Sequence, residues 1–205
     1  MRRHVLFASL AAATLGVLIG LARGGSLARL AQLQVRLPWL AGLAWLVQVL
    51  LFASPLAPAL QPWEISIYLA SVALLGALIV ANRALPGVAL FGTGLLLNAA
   101  VMAANGGYMP VSEAALTSAG SGAELETLRG GGAVQKSVLM RTDSPLWFLG
   151  DVLPVPPVGK VYSVGDLVAA AGLVLTVADG MLSSTSGGTC TTGPGSGGPS
   201  PPARS

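Results

Sequence analysis

The sequence predicts an all-α membrane protein with about five transmembrane helices, a short interfacial helix and a partly helical extracytoplasmic loop. Of its 205 residues, 53% are hydrophobic and only 9% are charged, whereas soluble globular proteins carry about 25% charged residues. So few charges cannot cover a surface that faces water on all sides. Several apolar runs also approach the roughly 20 residues that a membrane-spanning helix needs.

Five apolar runs are predicted to cross the membrane as helices, because a backbone in lipid must satisfy its own hydrogen bonds. An alternative for the first run, which follows Arg2 and Arg3, is a secretory signal peptide. No clean cleavage site follows this run, which favours an uncleaved helix. The five runs cover about residues 5–22, 38–53, 65–81, 86–104 and 164–182.

Residues 26–37, between the first two runs, are predicted to form an amphipathic helix on the membrane surface. Leucines recur there at helical spacing, with Arg29 and Arg36 on the other side. By the positive-inside rule, the arginines of the short loops place this segment in the cytoplasm. We therefore expect a multi-pass plasma-membrane protein with loop 105–163 outside and the C-terminus in the cytoplasm.

Loop 105–163 contains helix signals of its own. Ser112 is predicted to cap a short helix, and Ser163 with Asp166 resembles a capping box that opens the last long helix, with Asp in place of the usual Glu. Residues 146–149 are too apolar for a free loop in water. We therefore expect the loop to fold back onto the outer membrane face and to cap the helix bundle.

The remainder of the composition limits the cofactors and partners. Residues 183–205 are rich in Gly, Ser, Thr and Pro and are predicted to form a disordered tail after a membrane domain of residues 1–182. The single cysteine, Cys190, excludes an intrachain disulfide, and His4 has no metal-ligand partner at a suitable spacing. We expect no metal and no cofactor. The basic residues are scattered, which argues against nucleic acid as a partner.

Polar and small residues within the apolar runs suggest helix contacts. Gln48 and Asn98 are expected to hydrogen-bond between helices, with a substrate path as the alternative. Asp179 either marks a functional site or reaches the cytoplasmic interface. Gly16 and Gly20 have the spacing that lets helices approach closely, which suggests a membrane-protein partner or a homodimer.

Four short motifs occur in order along the chain: R-G-G-S-L at 23–27, N-G-G-Y-M-P-V-S at 105–112, L-x-x-L-G-D at 146–151 and aromatic-S-x-G-D at 162–166. Together they resemble an uncharacterised family of bacterial multi-pass membrane proteins, a domain-of-unknown-function family. The resemblance covers about residues 5–182. The resemblance implies the same membrane architecture. It implies no activity, substrate or cofactor.

Three functions are compatible with these features. The favoured one is a non-enzymatic integral membrane protein whose outer loop caps the bundle and binds a protein partner or membrane lipid. The first alternative is a transporter component for a small solute or lipid that uses Gln48, Asn98 and Asp179. The second is a membrane-embedded enzyme with acidic loop residues, although no catalytic motif is present and no residue is assigned as catalytic. The candidate binding residues are Asn98, Asn105, Tyr108, Asp151 and Asp166.

Overall fold

A computed structural model describes residues 3–53, 57–134 and 136–182. The predicted tail, including Cys190, lies outside the described residues, and so does the side chain of Gln48. The strands are β1 (Met109–Val111), β2 (Ser137–Leu139), β3 (Asp151–Val155) and β4 (Lys160–Ser163). The α-helices are α1 (Arg3–Ala22), α2 (Leu27–Ala31), α3 (Trp39–Ala53), α4 (Ala57–Leu60), α5 (Glu64–Ala81), α6 (Val88–Ala104), α7 (Glu113–Ala119), α8 (Gly122–Arg129) and α9 (Val164–Leu182).

The predicted fold class, all-α with about five transmembrane helices, is wrong. The four strands form a mixed sheet within residues 105–163, which were predicted to be a partly helical loop. Among the described residues, only α9 is long and apolar enough to cross a membrane. The 17 residues of α6 reach about 26 Å, which is less than the roughly 30 Å of a hydrocarbon core.

The long helices nevertheless lie near the predicted apolar runs. The predicted interfacial helix is much shorter, because α2 ends at Ala31 and the chain then turns. The backbone N–H of Arg36 donates to Oδ1 of Asn82 at 2.7 Å, and Nδ2 of Asn82 donates to the Arg36 carbonyl at 2.8 Å. Since the buried side chain of Asn82 bonds both backbone groups of Arg36, residues 32–37 do not continue the helix.

Helix α9 packs against α6 on one side and against α1 on the other, while α3 packs against α5. The α6–α9 contact depends on glycine. A Cβ atom on Gly94 would overlap the carbonyl oxygen of Gly165 and the backbone nitrogen of Ala169. Because no side chain stands between them, the two backbones approach closely.

The two glycines of α1 that lie four residues apart contact another helix of the same chain. A Cβ atom on Gly16 would lie 2.8 Å from Cβ of Val177, and one on Gly20 would lie 2.6 Å from the sulfur of Met181. Both glycines therefore face α9. The surface that suggested a homodimer holds a helix of the same chain.

Residues 107–163, which we call the cap, lie between the end of α6 and the start of α9. The strand order is β2-β1-β3-β4, with β1 parallel to both β2 and β3, and β3 antiparallel to β4. Helices α7 and α8 pack on this sheet and bury a small core of Val111, Leu116, Leu125 and Leu128. The cap is therefore a folded unit with its own apolar core.

Candidate functional site

The first turn of α9 begins at a reciprocal pair of hydrogen bonds. The N–H of Asp166 donates to Oγ of Ser163 at 2.9 Å, and the N–H of Ser163 donates to Oδ2 of Asp166 at 3.1 Å. This confirms the predicted capping box, in which two otherwise unpaired helix N–H groups are satisfied. Ser163 is completely buried, so the box also fixes where the cap joins α9.

The amide of Asn98 joins this capping box to α6. Its Nδ2 donates to Oδ1 of Asp166 at 2.8 Å, and its Oδ1 accepts from Oγ of Ser163 at 2.8 Å. We call Asn98, Ser163 and Asp166 the polar junction. Both ends of the Asn98 amide are engaged, as its position inside an apolar helix requires.

Asp151 lies beside the polar junction. It starts β3 and pairs in register with Ser163 of β4. Burial, reinforced by the negative charges of Asp166 and Glu124, raises the pKa of Asp151 to about 8, and Lys160 opposes this shift. Because a carboxyl with such a pKa is largely protonated at neutral pH, Asp151 is expected to be uncharged there.

The other acidic residues of the cap have basic partners. Lys160 pairs with Glu124 at 2.6 Å, and both side chains are mostly buried. Arg129 contacts Glu113 and also Glu126, the latter at 3.1 Å. In residues 3–53, 57–134 and 136–182, no group of three or more His, Cys, Asp or Glu side chains has a geometry that could hold a metal ion.

Asn105 and Tyr108 lie at the end of α6, away from the polar junction. Nδ2 of Asn105 donates to the carbonyl of Val101 at 2.8 Å and to that of Pro145 at 2.9 Å, which ties the cap to the helix end. The ring centroid of Tyr108 lies 5.3 Å from Nζ of Lys136, a cation–π contact. The structure thus brings Asn98, Asp151 and Asp166 together and gives Asn105 and Tyr108 other partners.

Asp179 forms an ion pair with Arg23, with 3.2 Å between Oδ1 and Nη1. Both side chains are partly exposed, and Arg23 directly follows α1. The pair therefore joins the C-terminal end of α9 to the connection between α1 and α2. This arrangement favours the interfacial interpretation of Asp179 over a site within the helices.

A cavity of about 410 Å³ lies between α5 and α6. These two helices contact each other at few points, and the space between them remains open. Its lining is largely apolar, with the amide of Asn98, the phenol of Tyr68 and the hydroxyl of Thr93 as polar groups. Met109 of β1 lies at its cap side. Other lining residues include Leu75, Gly76, Ile79 and Leu96.

A second cavity of about 260 Å³ adjoins the first at the cap end of α6. Tyr68, Val72, Ala99 and Met102 line both cavities, so the two spaces share a wall. Gly106, Gly107 and Lys136 line the second cavity only.

Sequence reasoning did not find these cavities. The apolar residues that line them resemble ordinary helix-packing residues, and Lys136 had no motif around it. One signal in the sequence was Gly76. A glycine inside a helix weakens the helix, so its presence indicates either open space or close packing next to that position.

The fold and these contacts define a protein of apolar helices that carries a small mixed α/β cap between two of them. The chain belongs to a family of unknown function (DUF5317), whose family model matches residues 32–178. The expected membership of a domain-of-unknown-function family is thereby confirmed, while its membrane and bacterial character stay predictions. No curated protein and no solved structure matches the chain.

Proposed function

We propose that this protein is a non-enzymatic membrane protein that binds a lipid between α5 and α6, beneath its cap. The observation that carries the proposal is the cavity of about 410 Å³ with its largely apolar lining. Small-molecule sites typically enclose about 300–1,000 Å³ and place a few polar groups in an apolar wall. An acyl chain fits such a lining because burying its methylene groups needs no hydrogen-bonding partner.

The outer faces of the helices support a membrane environment. Large apolar side chains remain exposed on α1, α3 and α9, and exposed apolar surface suits lipid or protein contact. Lipid contact removes this surface from water without requiring a partner protein. Examples are Leu10, Trp45 and Leu167.

The cap supplies the remaining part of the proposed site. Met109 of β1 lines the cavity, so the cap forms part of its wall. Asn98 also lines the cavity and is hydrogen-bonded to Ser163 and Asp166. The cap therefore forms part of the cavity wall and holds Asn98 in place, which supports a binding role for residues 107–163.

The proposal is tested by filling the cavity without disturbing the packing. Gly76 lines the cavity, and a Cβ atom there would meet no other atom within 4 Å. We expect Gly76→Leu to occupy the space that a lipid chain would use. Gly42→Leu is the matched control, because Gly42 lies in α3 with equally open surroundings and lines neither cavity.

The measurement is native mass spectrometry of the full chain purified in mild detergent. The wild type and Gly42→Leu should retain bound lipid in similar amounts, whereas Gly76→Leu should lose most of it. Thermal unfolding of each variant shows whether the protein remains folded. Equal lipid retention by Gly76→Leu and Gly42→Leu, or no retained lipid in the wild type, would contradict the proposal.

A further inference from the structure

We infer that Arg36 and Arg83, at the end of the helices opposite the cap, form a binding site for the headgroup of an anionic phospholipid. This site goes beyond the proposed function, because neither arginine lines either of the two cavities. The two sites share only the membrane setting. Three observations carry the inference: the position of the two arginines, the distribution of acidic side chains and the exposed apolar side chains beside Arg36.

The buried side chain of Asn82 holds the backbone of Arg36 next to that of Arg83. Its Oδ1 accepts from the N–H of Arg36 at 2.7 Å, and its Nδ2 donates to the Arg36 carbonyl at 2.8 Å. Nδ2 also donates to the carbonyl of Leu78 in the last turn of α5 at 2.8 Å. Arg83 directly follows Asn82, and both arginines are exposed. Guanidinium groups bind phosphate through paired N–H donors, and two that start from adjoining backbone segments can reach the same phosphate.

The two arginines are distant from the cap. The hydroxyl of Tyr68, near the start of α5, lies 3.3 Å from the sulfur of Met102, near the end of α6. The start of α5 therefore lies at the cap end of the molecule. Asn82 follows the other end of α5, which places Arg36 and Arg83 about 20 Å further along the helix axis.

Most acidic side chains lie at the cap end. Of the eight Asp and Glu residues in the sequence, six lie in the cap or in the adjoining first turn of α9, and Glu64 begins α5 at the same end. The six are Glu113, Glu124, Glu126, Asp143, Asp151 and Asp166. The eighth, Asp179, forms the ion pair with Arg23. In the part of the chain that the structure describes, no carboxylate forms an ion pair with Arg36 or Arg83, so an anionic headgroup would supply the complementary charge.

Exposed apolar side chains flank Arg36. Val35 is 42% exposed, Leu37 is 45% exposed, and Trp39, the first residue of α3, is 60% exposed. Tryptophan is enriched at the level of lipid headgroups, and basic residues beside exposed apolar ones are typical of surfaces that lie in the membrane interface. An inorganic anion would leave these apolar side chains in water, whereas a phospholipid has acyl chains that cover them. The surface therefore favours a phospholipid as the ligand.

The inference is tested by competition between two phospholipids with identical acyl chains, measured in the Gly76→Leu variant so that the cavity is filled. The purified full chain in mild detergent is incubated with equal concentrations of phosphatidylglycerol, which is anionic, and phosphatidylcholine, which is zwitterionic. Native mass spectrometry then reports the ratio of the two bound lipids. Each arginine at the headgroup is expected to favour the anionic lipid about fivefold.

Arg36→Gln and Arg83→Gln should each lower this ratio about fivefold, and the double variant should bring it close to one. Lysine at both positions should retain part of the preference, because the charge remains. Asn82 holds Arg36 through backbone groups, so these substitutions should leave the fold intact, which the thermal unfolding midpoint checks. Arg141→Gln is the control for net charge, because Arg141 is exposed and lies in the cap, at the other end of the molecule.

An unchanged ratio in the double variant, no preference before substitution, or an equal fall in Arg141→Gln would overturn the inference. Inorganic phosphate at the same concentration should not displace phosphatidylglycerol, and displacement would overturn the assignment of a lipid to this site. The cavity is judged separately, by the total lipid that the wild type and Gly76→Leu retain. Each of the two sites can therefore fail without the other.

Discussion

Asn98 of α6 donates a 2.8 Å hydrogen bond from Nδ2 to Oδ1 of Asp166 in the first turn of α9. The chain leaves α6 to form the cap and returns from the cap into α9. This one bond therefore closes the base of the cap, and Oγ of Ser163 adds a second bond to the same amide. Because Asn98 also lines the larger cavity, the wall of the cavity and the base of the cap share a residue.

Asn98→Leu is expected to destabilise the protein by about 1–3 kcal/mol, because it leaves Asp166 and Ser163 without their shared partner. The thermal unfolding midpoint in detergent measures this. Thr93→Val is the matched control, since the Thr93 hydroxyl donates only to the Ala89 carbonyl within α6. If the two variants unfold at the same temperature, the polar junction does not stabilise the fold.

The close approach of α6 and α9 predicts a strong effect at one glycine. Gly94→Ala places a methyl group against the backbone of Gly165 and Ala169, and overpacking of this kind costs about 1–3 kcal/mol. Gly42→Ala adds the same methyl group in open surroundings and is expected to be neutral or stabilising, because alanine favours helix. Comparison of their unfolding midpoints checks this, and an unaffected Gly94→Ala would contradict the packing described here.

The raised pKa of Asp151 predicts how stability depends on pH. The ordinary value is 3.8 and the folded value is about 8, so between these pH values the folded state holds a proton that the unfolded state has lost. Stability should therefore fall as pH rises through this window. Burial is the main cause, and the charges of Asp166, Glu124 and Lys160 also act on this carboxyl.

Asp151→Asn keeps the shape of the protonated carboxyl but does not titrate, so the variant should lose part of this pH dependence and be more stable than the wild type at about pH 8. Unfolding midpoints measured across the window test this. Asp143→Asn is the control, because that exposed carboxylate pairs with Arg141. A slope in Asp151→Asn equal to that of the wild type would exclude Asp151 as the source.

Much of the helical part could be predicted because it follows from local patterns. The bounds of α9 agree with the predicted apolar run of residues 164–182. The spacing of Ser163 and Asp166 predicts the capping box that the structure contains. The helix capped by Ser112 was also located, and Oγ of Ser112 accepts from the N–H of Ala115 at 3.4 Å. These features depend on residues within one helical turn, which sequence reports well.

The sheet could not be predicted because its signals are not local. Strand β1 has three residues with a proline in the middle, and proline usually argues against a strand with neighbours on both sides. Its partners Ser137 and Asp151 are distant in the sequence. Short strands with few residues also show no alternation of apolar and polar positions.

The candidate site could be predicted only in part. Asn98 was identified because a polar group inside an apolar helix needs a partner, and Asp166 was identified from the capping-box spacing. The structure joins the two by a hydrogen bond. The cavity depends on how far α5 and α6 separate, and helix spacing is set by tertiary packing. Lys136 directly precedes β2 and is positioned by the sheet, which was not predicted from the sequence.

The most direct test is a crystal structure of the full chain with phosphatidylglycerol that carries bromine on its acyl chain. The anomalous signal of bromine then marks where the chain lies. We predict a peak between α5 and α6, near Gly76 and Leu75. Bromine peaks confined to the outer faces of the helices, with no peak between α5 and α6, would contradict the proposed lipid-binding function.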